Sequence, residues 1–398
     1  MPPLDAFSQG YLRLTLEINR HIDGYVDSYY GPADLKAEVE AAEKKSPAAL
    51  LSDLARLHDA LPTHNPHRRE YLETVIRAMD CTVRGLNGEQ FDYLDEVYRL
   101  YDVRPQLIDE ATFTAAHAQL DTLLPGSGSL ADRLESWRSQ FVIPPVKLPE
   151  VIPVIMDEAR RRTQQLVELV PGEHINVTLV NDQPWSGYNW YQGNAHSLIQ
   201  INTDMPVNAL DLPDLAAHEG YPGHHTEHQL KEKHLYEENG YGETASALLH
   251  SPSAVIAEGI ARTALEIIFP NATNIAWMLD TVFPAAGLPS ADPEQIRRIG
   301  EARKALRSVG DNAASLYHTG KLAEEQTIDY LRTYDLAPEK RARQRFRFLS
   351  NPLFRCYIFT YTQGERLIEE AAKGGDKTPI FKRLLHEEIL PSKIPQIA

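Results

Sequence analysis

Cysteine is scarce in this sequence: among 398 residues only Cys81 and Cys356 occur. Two distant cysteines in apolar-rich stretches argue against a disulfide framework or a cysteine-based zinc site and favour a reducing compartment. The chain also lacks an uninterrupted apolar run of about 18 residues, and its first residues, Met1 to Asp5, lack the basic and apolar regions of a secretory signal. We therefore expect a cytoplasmic protein that does not cross a membrane.

Positive charge is also in short supply. Lysine and arginine number 40 against 56 aspartates and glutamates, which gives a formal net charge of −16. A chain this acidic repels phosphate backbones and anionic lipid surfaces, so neither nucleic acid nor a membrane is expected as a partner. With 42% hydrophobic and 24% charged residues, the composition is near the globular average, and the length suits two or three domains or one large one. The sequence leaves the oligomeric state open.

Apolar periodicity predicts a mostly α-helical protein with a small β-sheet, of the α+β class. Helical stripes such as Leu50, Leu54, Leu57 and Leu61 fill an N-terminal helical region over 1–145. The region 146–398 begins with a helix predicted over 152–170. It continues with strands over 175–180 and 197–202, which flank a loop over 185–194, and is mostly helical from residue 212.

One segment carries the chemistry: His218-Glu219-Gly220-Tyr221-Pro222-Gly223-His224-His225. Zinc takes neutral imidazole and carboxylate ligands in a tetrahedral shell, and a catalytic site leaves one position for water. A glutamate directly after the first histidine can take a proton from that water. This is the chemical logic of the H-E-x-x-H metallopeptidase helix.

The segment departs from that pattern because Pro222 occupies the position four residues after His218. Proline has no amide proton to give the helix and glycine permits unusual backbone angles, so we expect a bulge or a break at Pro222-Gly223. In an undistorted helix His224 would point about 120° away from His218, whereas His225 would lie about 10 Å along the axis. We favour His224 as the second metal ligand, with His225 as the alternative.

A third ligand is predicted at Glu258. This carboxylate lies in an otherwise apolar stretch, residues 254–261, where burial without a cation would be costly. The simplest partner is a metal ion. The structural alternative is an ion pair with an arginine such as Arg262.

The run from His218 to His225, followed by Glu258-Gly259, resembles a bacterial family catalogued as domain of unknown function 885. The signature of that family is H-E-x-x-P-G-H-H and then an E-G-W-A segment, with Ile260 here in place of the tryptophan. The family is similar to the gluzincin metallopeptidases. The resemblance implies a zincin-like architecture, one zinc ion held by two histidines and the downstream glutamate, and Glu219 as general base.

The C-terminal segment 351–364 resembles a further part of the family pattern. A tyrosine hydroxyl or an arginine aimed at the former carbonyl oxygen would stabilise its negative charge. Tyr361 is the first candidate, and Arg355 and Tyr357 follow; the alternative is that these aromatic residues belong to the core. The predicted strand that ends at 201–203 precedes the motif helix, where zincins carry an edge strand that holds a peptide.

The sequence thus predicts a zinc-dependent hydrolase, a metallopeptidase that acts on small peptides in a cleft walled by the N-terminal helices. One alternative is a metal-dependent hydrolase or hydratase of a non-peptide small molecule. The other is a non-enzymatic helical binding protein with a structural metal.

Overall fold

In the computed structural model, residues 4–183 and 185–397 are described, and they form a mostly helical fold with two small sheets. Residues 1–3, which belong to the N-terminal segment assessed above for a secretory signal, lie outside the described residues. The first helices are α1 (Ala6–Asn19), α2 (Ala33–Ala41), α3 (Pro47–Asp59), α4 (Pro66–Leu86), α5 (Tyr93–Tyr101), α6 (Glu110–Leu123), α7 (Leu130–Ser139), α8 (Leu148–Leu166), α9 (Leu212–Glu219) and α10 (His224–Lys231). They are followed by α11 (Pro252–Ile268), α12 (Thr273–Trp277), α13 (Phe283–Ala286), α14 (Pro293–Lys304), α15 (Val309–His318), α16 (Glu324–Tyr334), α17 (Glu339–Ser350), α18 (Ile358–Ala372) and α19 (Thr378–His386).

Short helices of other types join these elements. The 3₁₀ turns are Pro145–Lys147, Gly242–Ala245, Pro270–Ala272 and Pro391–Gln396, and π-helical turns occupy Glu232–Glu238 and Met278–Val282. The strands are β1 (Val26–Tyr29), β2 (His174–Val180), β3 (Gly187–Gly193), β4 (His196–Asn202) and β5 (Ser246–Leu248). None of the helices in the described ranges is long and apolar enough to cross a membrane.

The N-terminal helices form where the apolar stripes predicted them. Leu50, Leu54 and Leu57 are buried on α3, and the stripe of α4 lies in the same core cluster. Side-chain caps fix the helix starts: Ser46 accepts a hydrogen bond from a backbone amide of α3, and Asn65 does the same for α4. The sequence did not predict β1, which lies in this helical region and pairs antiparallel with the distant β5.

The three-stranded sheet has the order β2-β4-β3, with β2 parallel and β3 antiparallel to β4. The strands predicted over 175–180 and 197–202 are confirmed as β2 and β4. The loop predicted over 185–194 is wrong for residues 187–193, which form β3. Its buried positions, Asn189, Tyr191 and Gly193, alternate with exposed ones, a period-two pattern that glycine and asparagine obscured.

The missed strand also overturns the expectation for β4. Because β4 has a partner on both sides, it is the central strand and its backbone has no free edge to offer a peptide. The strand next to the motif helix at the edge of the sheet is β3. A Cβ atom on Gly187 would lie 2.6 Å from Cδ1 of Leu215 on α9, so this strand and helix are in close contact.

The helix predicted over 152–170 is present as α8, four residues earlier. It begins at Leu148 because Pro149 fits the first helical turn, where its missing amide proton costs nothing. The chain is extended at Val167. The largest apolar cluster draws on residues before and after position 145, including Val97 and Ile155.

Helix α11 lies at the centre of the site because it packs against both α9 and α18. Its contact with α18 is close at two glycines. A Cβ atom on Gly364 would lie 2.2 Å from the carbonyl oxygen of Val255, and one on Gly259 would lie 2.9 Å from the backbone of Gly364. This approach places the first turn of α18 beside Glu258.

Candidate metal centre

The motif helix breaks as the sequence predicted. Helix α9 ends at Glu219, and α10 begins at His224 after the cis Tyr221–Pro222 bond. The amide of Gly223 donates to the carbonyl of Ala217, 2.9 Å away, which closes a loop wider than a helical turn. A Cβ atom on Gly223 would lie 2.0 Å from the carbonyl oxygen of His218, so this fold of the chain requires glycine.

The break brings together two histidines that a straight helix would separate. The rings of His218 and His224 are perpendicular, with centroids 4.8 Å apart. Each side chain is 15% exposed, so neither ring is fully enclosed by the protein. The predicted pairing of His218 with His224 therefore rests on the Pro222-Gly223 distortion.

Glu258 on α11 faces both rings. Its Oε2 lies 3.5 Å from Nε2 of His218, and its Oε1 lies 3.9 Å from Nε2 of His224. Ligands of a tetrahedral zinc ion lie about 3.4 Å from one another, given metal–ligand distances of about 2.1 Å. The three side chains are therefore close to the spacing that one zinc ion needs.

Glu219 belongs to the same cluster. One ligand atom each from His218, Glu219 and His224 lies within 4.8 Å of the others. Glu219 Oε1 is 4.0 Å from Nε2 of His218, farther than the Glu258 oxygen. Glu258 is the better candidate for the third ligand because its two carboxylate oxygens lie 3.5 and 3.9 Å from Nε2 of His218 and of His224.

A buried atom supports the fit to a cation. Oε2 of Glu258 is buried and has no hydrogen-bond partner among the described residues, while Oε1 accepts a hydrogen bond of 2.6 Å from the hydroxyl of Tyr357. An unpaired carboxylate oxygen is costly to bury, and a metal ion would compensate it. The ion pair with Arg262 is not formed: the ion pair of Arg262 is with Asp214, at 4.0 Å.

The electrostatics of this cluster of side chains suit a divalent cation. Burial lowers the pKa of His218 well below its usual value and that of His224 to about 4, so both rings are neutral at pH 7, the form that binds metal. Burial also raises the pKa of Glu258 to about 7, against the hydrogen bond from Tyr357. The pKa of Glu219 is raised well above its usual value by burial and then by Glu258.

His225, the alternative ligand, is committed elsewhere. It is fully buried, its Nδ1 is 2.8 Å from the hydroxyl of Ser197 and its Nε2 is 3.0 Å from Oε2 of Glu173. Both ring nitrogens thus have partners. Glu173 also accepts hydrogen bonds from Tyr221 and from Arg160, the latter 2.6 Å long. This network anchors the start of α10 to β4 and favours His224 over His225 as the candidate ligand.

Of the three candidates for oxyanion stabilisation, Tyr361 and Tyr357 lie at the cluster, and the hydroxyl of Tyr357 is already bonded to Glu258. The ring of Tyr361 is 5.5 Å from that of Tyr357, and burial followed by the charges of Glu258 and Glu219 raises the pKa of Tyr361. Arg355 is not brought there. Its guanidinium pairs with Glu96 on α5 and lies over the ring of Tyr93.

The structure adds Arg262 to the site, which sequence reasoning had considered only as an ion-pair partner. It follows Glu258 by one helical turn, and its Nε is buried without a hydrogen-bond partner among the described residues. Its charge lowers the pKa of His218 and of Tyr361. The spacing of four residues from Glu258 was the available signal.

Two further residues come from distant segments. Asn189 on β3 donates from Nδ2 to the carbonyl of Glu219, 2.6 Å away, which holds the end of α9 against the edge strand. Asp27 on β1 accepts a hydrogen bond from the Tyr188 hydroxyl, and its charge raises the pKa of both Glu219 and Glu258. Neither residue carried a local sequence signal.

Comparison with known proteins bears on the fold alone. No protein-family model matches the chain, and no curated protein matches it. A solved structure from Colwellia psychrerythraea, described as a "putative lipoprotein", aligns with a TM-score of 0.56 at 14% identity and covers 89% of this chain. The chain spans 66% of the length of that protein. A structure from Shewanella oneidensis, described as a "putative lipoprotein of unknown function", aligns with a TM-score of 0.47 at 13% identity, over 98% of this chain and 72% of the other.

Proposed function

We propose that the protein is a zinc-dependent hydrolase, a metallopeptidase that cleaves small peptides. The proposal is supported by one observation above all: two neutral imidazoles converge on the buried carboxylate of Glu258. Its unpartnered Oε2 lies 3.5 Å from Nε2 of His218, and its Oε1 lies 3.9 Å from Nε2 of His224. His218, His224 and Glu258 would hold the metal. The motif and the helical architecture favour a zincin-like protein of the domain of unknown function 885 family.

Zinc, when bound, supplies a Lewis acid that polarises a carbonyl group and acidifies water. Glu219 takes a proton from the attacking water and passes it to the leaving amine. Its carboxylate lies next to the ligand set, and the hydrogen bond from Asn189 to its carbonyl fixes the last turn of α9. The hydroxyl of Tyr361 donates to the carbonyl oxygen as negative charge develops on it.

The edge strand offers a place for the substrate backbone. An extended peptide can add to an unpaired strand edge through backbone hydrogen bonds, with alternate side chains turned towards the protein. β3 is at the edge of its sheet and in contact with α9, so a peptide beside it would pass the metal centre. This arrangement favours a peptide over a small molecule without a backbone.

Turnover of a peptide library by wild type, Glu219→Gln and His234→Ala tests the proposal. Glu219→Gln keeps the side-chain shape but removes the base, so we expect the zinc content to remain and the rate to fall by about 10²- to 10⁴-fold. His234 is a control because it is partly exposed and pairs with Glu238. Undiminished hydrolysis by Glu219→Gln would contradict the mechanism, and cleavage of ester or amide metabolites in place of peptides would favour the non-peptide alternative.

A further inference from the structure

A third carboxylate, that of Asp27, is coupled electrostatically to Glu219 and Glu258 and has no part in the proposed chemistry. It lies on β1, which pairs with β5 in the register Val26 with Leu248 and Ser28 with Ala247. Two residues of β1 therefore advance against one of β5, which leaves Asp27 as the extra residue of a β-bulge. Bulges of this kind turn a side chain away from the direction that the regular strand would give it.

The Asp27 side chain is turned towards β3. Its Oδ1 accepts a hydrogen bond from the hydroxyl of Tyr188, and the next residue, Asn189, holds the carbonyl of Glu219. Neighbouring residues of one strand thus hold the Asp27 carboxylate and the end of the motif helix. This pair of contacts ties Asp27, through one segment of β3, to the last turn of α9, which carries the general base.

The charge of Asp27 acts on the metal centre. Burial is the main cause of the raised pKa of Glu219, Glu258, Tyr357 and Tyr361, and the charge of Asp27 raises each of these values further. Burial raises the pKa of Asp27 itself, against the hydrogen bond from Tyr188. Within the described ranges no lysine, arginine or histidine nitrogen lies within 4.0 Å of its carboxylate. A half-buried carboxylate without a cation partner can accept a charge-assisted hydrogen bond from an ammonium group.

We propose that Asp27 binds a primary ammonium group of the substrate and so selects short peptides that carry this charge next to the scissile bond. In a peptide with a free N-terminus, a single carbon separates the α-ammonium from the first carbonyl group. The same carbonyl can therefore face Glu219 while the ammonium donates to Asp27. The inference rests on the proposed function and names its substrate class: peptides with a free amino end, or with a lysine at the cleaved bond.

Binding of hydroxamates to the zinc-loaded protein tests this without turnover. Calorimetry at neutral pH would compare L-leucine hydroxamate, its N-acetyl derivative and Nα-acetyl-L-lysine hydroxamate on wild type, Asp27→Asn and Asp23→Asn. A charge-assisted hydrogen bond corresponds to an affinity ratio of about 10- to 100-fold, so the free amine should bind tighter than the acetylated compound by this factor. Asp23 is a matched control because it is an exposed acid on the same segment.

The expected result is loss of the ratio in Asp27→Asn and its retention in Asp23→Asn. Tight binding of the lysine compound would assign the ammonium to a side chain, and weak binding would assign it to the amino terminus. Equal affinity for free and acetylated compounds in the wild type, or an unchanged ratio in Asp27→Asn, would overturn the proposal. Zinc content of the same samples separates the two failures, because a protein that takes up no zinc contradicts the proposed function itself.

Discussion

Oε2 of Glu258 lies 3.5 Å from Nε2 of His218, and this oxygen is buried without a hydrogen-bond partner in the described part of the chain. The two residues belong to helices that meet only in the folded protein, α9 and α11. The cluster of His218, His224 and Glu258 depends on two features of the fold. The helix break brings His224 beside His218, and two glycines let α18 approach α11. Each of these features can be tested by substitution.

Gly223→Ala should disrupt the metal centre. The added Cβ atom would lie 2.0 Å from the carbonyl oxygen of His218, so the chain between α9 and α10 must move. We expect a loss of about 1–3 kcal/mol in the free energy of unfolding, measured by urea denaturation, together with loss of zinc. Gly300→Ala is the matched control.

Gly300 lies inside α14, and a Cβ atom there would have no heavy atom within 4 Å. Alanine in this helix interior should raise stability by about 0.5–1 kcal/mol and leave zinc binding unchanged. Equal effects of the two substitutions on the zinc content would be inconsistent with a special role for the Gly223 turn.

Tyr361→Phe should slow hydrolysis without removing the metal. The hydroxyl is the atom expected to stabilise negative charge, so kcat should fall by about 10²- to 10³-fold while the zinc content stays constant. Arg355→Met should instead lower stability, since Arg355 pairs with Glu96, and should change kcat by less than about threefold. Steady-state kinetics on one peptide would check both, and a larger kcat loss in Arg355→Met would reverse the assignment.

Glu173→Gln should reduce stability in a way that depends on pH. Burial alone would raise the pKa of Glu173, but hydrogen bonds from His225, Tyr221 and Arg160 outweigh it and lower the pKa to about 2. The carboxylate therefore stabilises the fold above its unfolded pKa, and this contribution is lost as pH falls towards 2.

The stability difference between wild type and Glu173→Gln should narrow by about 2 kcal/mol between pH 6 and pH 3. Urea denaturation across this range measures it, with Glu168→Gln as a control because Glu168 is exposed. A difference that stays constant with pH would show that Glu173 is not held as an ionised group.

Asp311→Asn should show the opposite pH dependence. Burial raises the pKa of Asp311 to about 7, against the hydrogen bond from Thr362 and the charges of Arg345 and Arg366. The folded state therefore favours the protonated acid, and the cost of ionising it grows as pH rises from the unfolded pKa to the folded one.

Asparagine carries no charge, so the gain in stability from Asp311→Asn should grow by about 2 kcal/mol between pH 5 and pH 7 and level off above. Asp329→Asn, at a side chain that is 69% exposed, should show no such trend. Denaturation curves at matched pH values measure this gain in stability. A gain for Asp311→Asn that does not change with pH would contradict the prediction.

The sequence predicted the parts of the site that depend on local chemistry. His218 and Glu219 are adjacent, the break at Pro222-Gly223 follows from a missing amide proton, and Glu258 is an isolated acid in an apolar helix. These signals need no knowledge of the tertiary fold. The helices α3 and α4 could be predicted for the same reason, because their buried apolar residues recur at helical spacing.

The rest required the tertiary structure. β3 escaped prediction because glycine, asparagine and aromatic residues are as typical of loops as of strands, and its pairing with β4 decides the matter. Arg355 was a reasonable candidate by position, but a turn before α18 directs it to Glu96 on α5. Asp27 lies at a bulge in a strand whose partner is more than 200 positions away, so its contact with Tyr188 carried no local signal.

The central claim is that His218, His224 and Glu258 hold one zinc ion while Glu219 does not. Elemental analysis of the purified protein by inductively coupled plasma mass spectrometry tests it directly. We expect about one zinc per chain in wild type and in Glu219→Gln, and loss of zinc in His218→Ala and Glu258→Ala. No metal in the wild type after zinc is supplied, or full zinc retention in both of these alanine variants, would contradict it.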